Sequence, residues 1–195
     1  GRKGLYINAD EIIEKLEKRV YLESKERNSS LDDASLNEIA HDVAIGTIRY
    51  ELIKPDLDKI ITFDINTSLK LEGDTCSYIQ YSCVRAARIL EKSDKKPDFN
   101  ASFDQLNTQH DLNLIKQIGM FEIFVNDAAK NYSPKVIAKY CYGLAVTFSS
   151  FYEHVKVLKA ETPELVNARL CLVLSFGLTL EKALDLLGIT VPQRM

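Results

Sequence analysis

The sequence predicts an all-α protein, built as a helical bundle. Apolar residues recur every three or four positions through nearly every long segment of the 195-residue chain. Most of these segments open on a serine, threonine or asparagine that is followed closely by glutamate or proline, which is typical of a helix start. We find no internal repeat. These observations favour a single bundle of helices of different lengths.

The first part of the chain is predicted to form two helices. Asn8 and Glu11 open the first helix, whose apolar residues continue to the charged run at Lys25 to Arg27. After the polar connector SSLDDAS, Ser35 and Glu38 form a capping box for a second helix that stops before Pro55. The segment KPDLDKIITFDINTSLKLEGD then reads as an extended, partly looped crossing, because Ile61, Phe63 and Ile65 alternate with polar residues.

The second part is predicted to hold the remaining helices. Asp74 or Thr75 caps a helix that runs to about Glu91, and the polar stretch KSDKKPDFNAS follows as a loop. Another helical stretch begins near Phe103 and is interrupted at Gly119. A helix opening at Ser133 and Pro134 is apolar nearly all round and should be central. The last helix starts at Thr162, Pro163 and Glu164 and ends at Gly188.

Composition indicates a reduced protein without structural metal, since the four cysteines form no CxxC pair. No apolar run approaches the ~20 residues that span a bilayer, and the N-terminus does not resemble a signal peptide, so we expect no membrane association. The net charge of −3 and the pI near 5.7 argue mildly against a nonspecific nucleic-acid binder. Reading a few unpaired bases requires only a local basic patch.

One helix face carries the most informative pattern of the sequence. Tyr78, Tyr81, Arg85 and Arg88 are three or four positions apart, so they share a face of the helix that follows Thr75. Such a face offers rings on which unpaired bases stack and charges for the adjacent phosphates. By spacing alone, core packing is the favoured explanation of the two tyrosines, and an ion pair with Glu91 or Asp94 is the favoured interpretation for Arg88.

The segment AIGTIRYELIKPDLDKIITFDINTSLKLEGDTCSYIQYSCVRAARIL resembles the part of arginyl-tRNA synthetases that leads from the catalytic domain into the anticodon-binding domain. The resemblance continues through NARLCLVL, EKALDLLG and the terminal VPQRM. It implies a helical bundle of the class I synthetase anticodon-binding, or DALR, type at residues 71–195. Residues 1–70 would be the C-terminal remnant of the catalytic domain with linker helices, and the sequence reads as a piece of something longer.

The resemblance also implies which chemistry is present. The parent enzyme joins arginine to its tRNA with ATP and Mg, whereas this stretch has neither a HIGH-like sequence nor a complete lysine-rich loop. We therefore expect no cofactor here and no ligation by this fragment alone. Lys3, in GRKG, resembles the end of the ATP-facing loop, and its alternative is a solvated lysine on a frayed terminus.

The partner implied by the resemblance is the anticodon loop of arginine tRNA, together with the remainder of the synthetase, in the cytoplasm and without DNA or membrane. The residues carried over are Tyr78, Tyr81 and Tyr152 as stacking platforms, Met195 near the loop, and Arg85 and Arg194 beside them. Each stacked base is worth roughly 1 to 3 kcal/mol. The alternatives are that Tyr81 packs inside the bundle, that Tyr152 lies at the outer edge of the central helix, and that Met195 is a loose end.

Two departures from the family pattern and two competing interpretations stay open. Cys76 and Ser77 stand where many relatives have glycine and proline, and Gly177 stands where many have arginine, so contacts of that arginine cannot be carried over.

A helical protein-interaction module would use the same apolar faces. The helical domain of a cysteinyl or other synthetase is the third interpretation, against which the long KPDLDKIITFD to YIQY stretch argues. Arg49 is a candidate phosphate contact or a surface ion pair.

Overall fold

The computed structural model describes residues 8–28, 30–56 and 58–195. Over these ranges all regular secondary structure is helical, which confirms the predicted fold class. The helices are α1 (Ala9–Arg27), α2 (Asp33–Ile53), α3 (Ile65–Ser68), α4 (Cys76–Glu91), α5 (Gln109–Gly119), α6 (Phe121–Asn131), α7 (Lys135–His154) and α8 (Pro163–Asp185).

Helices α1 and α2 pack side by side around a small apolar cluster. The carboxylate of Asp32 accepts a hydrogen bond from the backbone N–H of Ser35 at 2.7 Å and so caps α2. The prediction that Ser35 is the cap was wrong, because the aspartate three residues earlier takes that role. Leu69 closes this cluster from beyond α3, as part of the set Leu16, Val20, Ile39, Ala40, Val43, Ala44 and Leu69.

Over its described residues, the crossing between α2 and α4 is irregular apart from the short helix α3. Its alternating apolar residues form no strand, and Ile60 is 94% exposed. Thr75 caps α4, since its Oγ1 accepts from the backbone N–H of Tyr78 at 3.2 Å. Asp74 instead accepts a hydrogen bond from the buried Tyr50 hydroxyl at 2.5 Å. Two effects raise the pKa of Tyr50 far above its usual range: burial is the larger, and the hydrogen bond to the Asp74 carboxylate is the second.

Helix α7 is the centre of the larger core, as predicted. It contacts α2, α4, α5, α6 and α8, and the rings of Phe148 on α7 and Phe176 on α8 stack with centroids 3.8 Å apart. Cys76, Cys83 and Cys141 are buried free thiols of this region. Tyr50 of α2 also belongs to this core, so α2 contributes to both apolar clusters. The predicted division at residues 70 and 71 stays a prediction.

Helix α8 is, by length and composition alone, the one helix among the described residues that could span a membrane. It has 23 residues, and an 18-residue window reaches a mean hydropathy of 1.3. This differs from the expectation, drawn from the sequence, that no apolar run approaches the length of a membrane span. The physical origin of this hydropathy is the bundle itself, because α8 packs its apolar side chains against α4, α5 and α7.

The ends of α5 and α8 differ from the prediction by a few residues. Helix α5 begins at Gln109, after a capping box between Thr108 and Asp111, and not near Phe103. Helix α8 ends at Asp185, and the chain turns at Gly188, which has φ of +66°. The Arg49 guanidinium donates to the Gly188 carbonyl, so this arginine secures the turn after α8.

Candidate nucleic-acid interface

The capped start of α4 fixes which side chains turn toward the surface. Cys76, Ile79, Cys83 and Ala86 are buried in the core. The positions on the opposite side are therefore left for Tyr78, Tyr81, Arg85 and Arg88, of which the first three are half-buried and Arg88 is exposed. Cys76 and Ser77, which depart from the family pattern, do not disturb the helix start, because both are buried behind the Thr75 cap.

A surface cleft of about 520 Å³ lies where the C-terminal half of α4 meets the end of α7 and the loop that follows it. We call it the tyrosine cleft, because two tyrosine rings and a set of cationic and aliphatic side chains form its walls. Its lining residues are Tyr81, Arg85, Arg88, Ile89, Lys92, Tyr152, Val155, Lys156, Val157, Leu158 and Lys159.

The two tyrosines of the cleft are joined by one arginine. The Arg85 Cζ atom lies 3.9 Å from the centre of the Tyr152 ring and 5.5 Å from the centre of the Tyr81 ring. These distances are typical of a guanidinium resting on an aromatic face. The Tyr152 side chain is 42% exposed, so its ring remains within reach of a ligand.

The charge of the cleft is opposite to that of the chain. Arg85, Arg88, Lys92, Lys156 and Lys159 supply five cations, and none of the described residues that line the cleft is acidic. The whole chain, by contrast, has a net charge of −3. This concentration of positive charge around two aromatic rings suits an anionic ligand that also carries flat, apolar rings.

A buried ion pair holds the loop that forms one wall of the cleft. Val155 and Val157 are buried, which turns Lys156 outward. The Lys156 carbonyl accepts a hydrogen bond at 3.0 Å from Arg169 of α8. Arg169 in turn lies 3.4 Å from Asp111, which completes the capping box of α5 with Thr108, and the Arg169 and Asp111 side chains are 9% and 0% exposed. The loop is therefore tied to two helices of the core.

The structure brings some of the predicted site residues together and separates others. Tyr81, Arg85 and Tyr152 line the tyrosine cleft. Tyr78 lies one turn earlier on α4 and packs edge-on against Tyr142, with ring centroids 6.1 Å apart. Arg194 lines a different cleft, beside residues of α2 such as Glu38. Lys3 lies outside the described residues.

Met195 connects the cleft to the α1 and α2 cluster. Its side chain packs against that cluster, while its main-chain carbonyl accepts a hydrogen bond from Arg88 at 3.4 Å. The expected ion pair between Arg88 and Glu91 or Asp94 is not formed, because Arg88 points toward the end of the chain instead. Met195 is thus packed and not a loose end, although its side chain lies outside the cleft.

Three lysines of the cleft and the buried ion pair that holds its loop were not predicted from the sequence. Lys92, Lys156 and Lys159 were not singled out, since isolated lysines in a sequence usually mark solvated surface. Arg169 offered a usable signal, because a lone arginine inside the apolar run LVNARLCLVL must find a partner when that run is buried. Its partner, Asp111, could not be identified without the fold.

Comparisons with known proteins identify relatives over the whole chain. A family model described as the DALR anticodon binding domain matches residues 79–195. The chain is 37% identical over 194 residues to the arginine–tRNA ligase of Methanothrix thermoacetophila, and 37% identical over 196 residues to that of Borrelia hermsii. Both alignments cover 100% of this chain but 34% and 33% of the relatives, so the chain spans about a third of the length of the curated relatives it matches.

Solved structures give the same fold. The arginyl-tRNA synthetase of Thermus thermophilus matches with a TM-score of 0.86 and 33% identity, covering 97% of this chain and 32% of that chain. The arginyl-tRNA synthetase of Plasmodium falciparum matches with a TM-score of 0.84 over 97% of this chain and 34% of that chain. At 24% identity, the second likeness shows the fold alone.

Proposed function

The chain belongs to the DALR anticodon-binding domain family, and on this premise we propose that it is the part of an arginine–tRNA ligase that binds the anticodon loop of arginine tRNA. The proposal includes the remainder of that ligase as a second partner and a cytoplasmic location. Because the chain covers about a third of its relatives, attachment of arginine to tRNA is proposed for the whole protein and not for this stretch.

The tyrosine cleft is the observation that carries the proposal. Sequence-specific proteins recognise RNA mainly at single-stranded loops, whose bases splay out and stack on aromatic rings. Tyr81 and Tyr152 supply such rings in one cleft, and five cations surround them without an acidic neighbour among the described lining residues. A duplex would present phosphates but would keep its bases stacked inside, so two aromatic rings in one cleft favour an unpaired loop.

The proposed roles follow from exposure and chemistry. One base stacks on the exposed ring of Tyr152. A second base stacks on the half-buried ring of Tyr81, deeper in the cleft. The exposed ammonium groups of Lys92, Lys156 and Lys159 contact the phosphates on either side.

The remaining predicted site residues keep less direct roles in the proposal. Tyr78 and Met195 adjoin the cleft through α4 and Arg88, so we retain them at its edge. Arg194 lies beside α2 and would need a contact with another part of the tRNA.

ATP and Mg belong to the activity proposed for the whole protein. Among residues 8–28, 30–56 and 58–195, no group of three or more histidine, cysteine, aspartate or glutamate side chains is arranged to hold a metal ion. Lys3, the residue expected to face ATP, is not among the described residues. The role proposed for this part of the chain is to bind and orient RNA.

Binding of a labelled anticodon stem-loop to the chain, measured by fluorescence anisotropy at low salt, tests the proposal. We expect binding to a stem-loop with an arginine anticodon, and weaker binding when the anticodon bases are changed. Tyr152→Ala should weaken binding about five- to 150-fold, which corresponds to the roughly 1 to 3 kcal/mol of one stacked base. Tyr132→Ala, at a 90% exposed tyrosine of the α6–α7 turn, is the matched control.

Two results would contradict the proposal. If the folded chain does not bind the stem-loop at low salt, the RNA-binding role is wrong. If it binds but Tyr152→Ala and Tyr132→Ala have equal affinity, then the tyrosine cleft is not the binding surface.

A further inference from the structure

The ring that we assign to base stacking is already covered on one face. The Arg85 guanidinium lies 3.9 Å from the centre of the Tyr152 ring, which is contact distance for a flat group resting on an aromatic face. A nucleobase on that face of Tyr152 would occupy the same volume as the guanidinium. Base and arginine therefore compete for one place in the tyrosine cleft.

Arg85 is not fixed there by any polar partner. Over the described ranges, none of the ion pairs includes Arg85, and no hydrogen bond satisfies its guanidinium. Arg169 shows the contrast, since it is buried, pairs with Asp111 and bonds to a carbonyl. An arginine that serves the fold is held in that way. Arg85 is held by two tyrosine rings and keeps its N–H donors free.

The charges around the Arg85 guanidinium favour its transfer from the Tyr152 ring to an anion that enters the cleft. The other charged groups that line the cleft are cations, including Arg88 and Lys156, so no carboxylate of the described lining residues pairs with the guanidinium. A phosphate entering the cleft would be the first strong acceptor within its reach, and guanidinium binds phosphate with two parallel hydrogen bonds.

We propose that Arg85 is a resident occupant of the Tyr152 stacking site, and that an incoming nucleotide displaces it by exchange: the base takes its place on the ring and the adjacent phosphate receives the guanidinium. This inference rests on the proposed function of the cleft. Arg85 then determines specificity, because a ligand must supply both a base to replace it and an anion to receive it.

The exchange separates single-stranded nucleic acid from simpler ligands. A polyanion without bases binds the cations of the cleft and leaves Tyr152 covered. An uncharged nucleoside supplies a ring but no anion, so it must displace Arg85 without a phosphate to receive the guanidinium. A base next to a phosphate meets both requirements.

Arg85→Ala distinguishes this exchange from other roles, because it is expected to change two affinities in opposite directions. The ring becomes free, so an uncharged nucleoside, followed by NMR titration, should bind about two- to fivefold more tightly than to the unmodified protein. The anticodon stem-loop loses its phosphate contact and should bind about tenfold more weakly. Lys139→Ala is the control, since Lys139 is an exposed cation of α7 that does not line the cleft.

A second measurement uses the unmodified protein and does not depend on how the variant folds. In the free protein, the ring current of Tyr152 should shift the Arg85 side-chain protons upfield, and saturating stem-loop should return them to ordinary values. If the upfield shift is absent from the free protein, or persists in the complex, the exchange is refuted.

The two proposals fail in different ways. Equal or weaker nucleoside binding by Arg85→Ala, while the stem-loop still binds the unmodified protein, would refute the exchange and leave the proposed function intact. Absence of stem-loop binding to the unmodified protein would refute the proposed function and the exchange with it.

Discussion

Arg169→Met is the substitution that most directly tests how the fold builds the cleft. Methionine retains most of the apolar length of arginine but removes the charge and the donors. The change leaves the Asp111 carboxylate, which is 0% exposed, without its cationic partner, and it leaves the Lys156 carbonyl without the hydrogen bond from α8. Asp111 keeps only its capping contacts with Thr108.

The expected cost follows from this burial. Removing one partner of a buried ion pair typically costs about 3 to 5 kcal/mol, because an uncompensated charge remains inside. A domain is usually stable by roughly 5 to 15 kcal/mol, so the loss is a large fraction of the total. For a chain of this size, each kcal/mol lowers the melting temperature by about 2 to 4 °C, so a decrease of roughly 6 to 20 °C is expected.

Thermal unfolding followed by circular dichroism measures this cost, and stem-loop affinity measures its effect on the cleft. Arg19→Met is the matched control, since Arg19 pairs with Glu23 at 3.0 Å on the surface and such pairs contribute about 0 to 1 kcal/mol. If Arg169→Met melts within 2 °C of Arg19→Met, the buried pair is not what holds the loop. If it is unstable but binds RNA with unchanged affinity below its melting point, the loop does not depend on Arg169.

Three further predictions concern charge, packing and burial. Lys159→Ala should reduce the slope of log affinity for the stem-loop against log salt by about 0.7, because one phosphate contact with a single strand is lost. Gly46→Ala should destabilise the fold by about 1 kcal/mol or more, since an added Cβ would lie 2.9 Å from the Gln80 amide nitrogen, which is bonded at 2.7 Å to the Thr190 carbonyl. In the native protein at neutral pH, a thiol reagent should react far more slowly with the four cysteines than with a free thiol. Burial raises the pKa of all four thiols, Cys76, Cys83, Cys141 and Cys171, and that of Cys141 to about 12.

Each of these has a control within the chain. Lys139→Ala should leave the salt slope unchanged, and an equal decrease there would show that Lys159 acts only through overall charge. Gly119→Ala, where an added Cβ meets open space, should be stabilising by about 0.5 to 1 kcal/mol. If Gly46→Ala also stabilises the fold, then the Gln80 side chain moves away from the added Cβ at little cost in free energy. All four thiols should react in denaturant, and rapid labelling of the native protein would contradict their burial.

Much of the fold was predictable because helix boundaries are local. Thr75 and Thr162 were correctly expected at helix starts, and both side chains accept a backbone N–H three residues later. The errors occurred where two local signals compete. Asp32 and Ser35 are both acceptable caps, and only the geometry of the connector shows that the aspartate is used. The crossing before α4 was expected to be extended and partly looped, and its described residues are irregular apart from α3.

The candidate site was predictable in its composition but not in its assembly. The spacing along α4 grouped Tyr81, Arg85 and Arg88, and the family resemblance added Tyr152. It also added Arg194, which the fold places in a different cleft. Side chains far apart in sequence meet only through packing, so spacing could not reveal the contact between Arg85 and Tyr152 or the orientation of Arg88 toward Met195.

By itself, the sequence determined that this protein is a bundle of helices with a face of tyrosines and arginines on α4, because periodicity and capping act within a few residues. The tertiary structure alone decided that this face meets the end of α7 in a cationic cleft. It also decided that the wall of the cleft depends on Arg169 and Asp111, which are 58 positions apart. Contacts over such separations are selected by burial and by the need to pair buried charge, and neither appears in a local pattern.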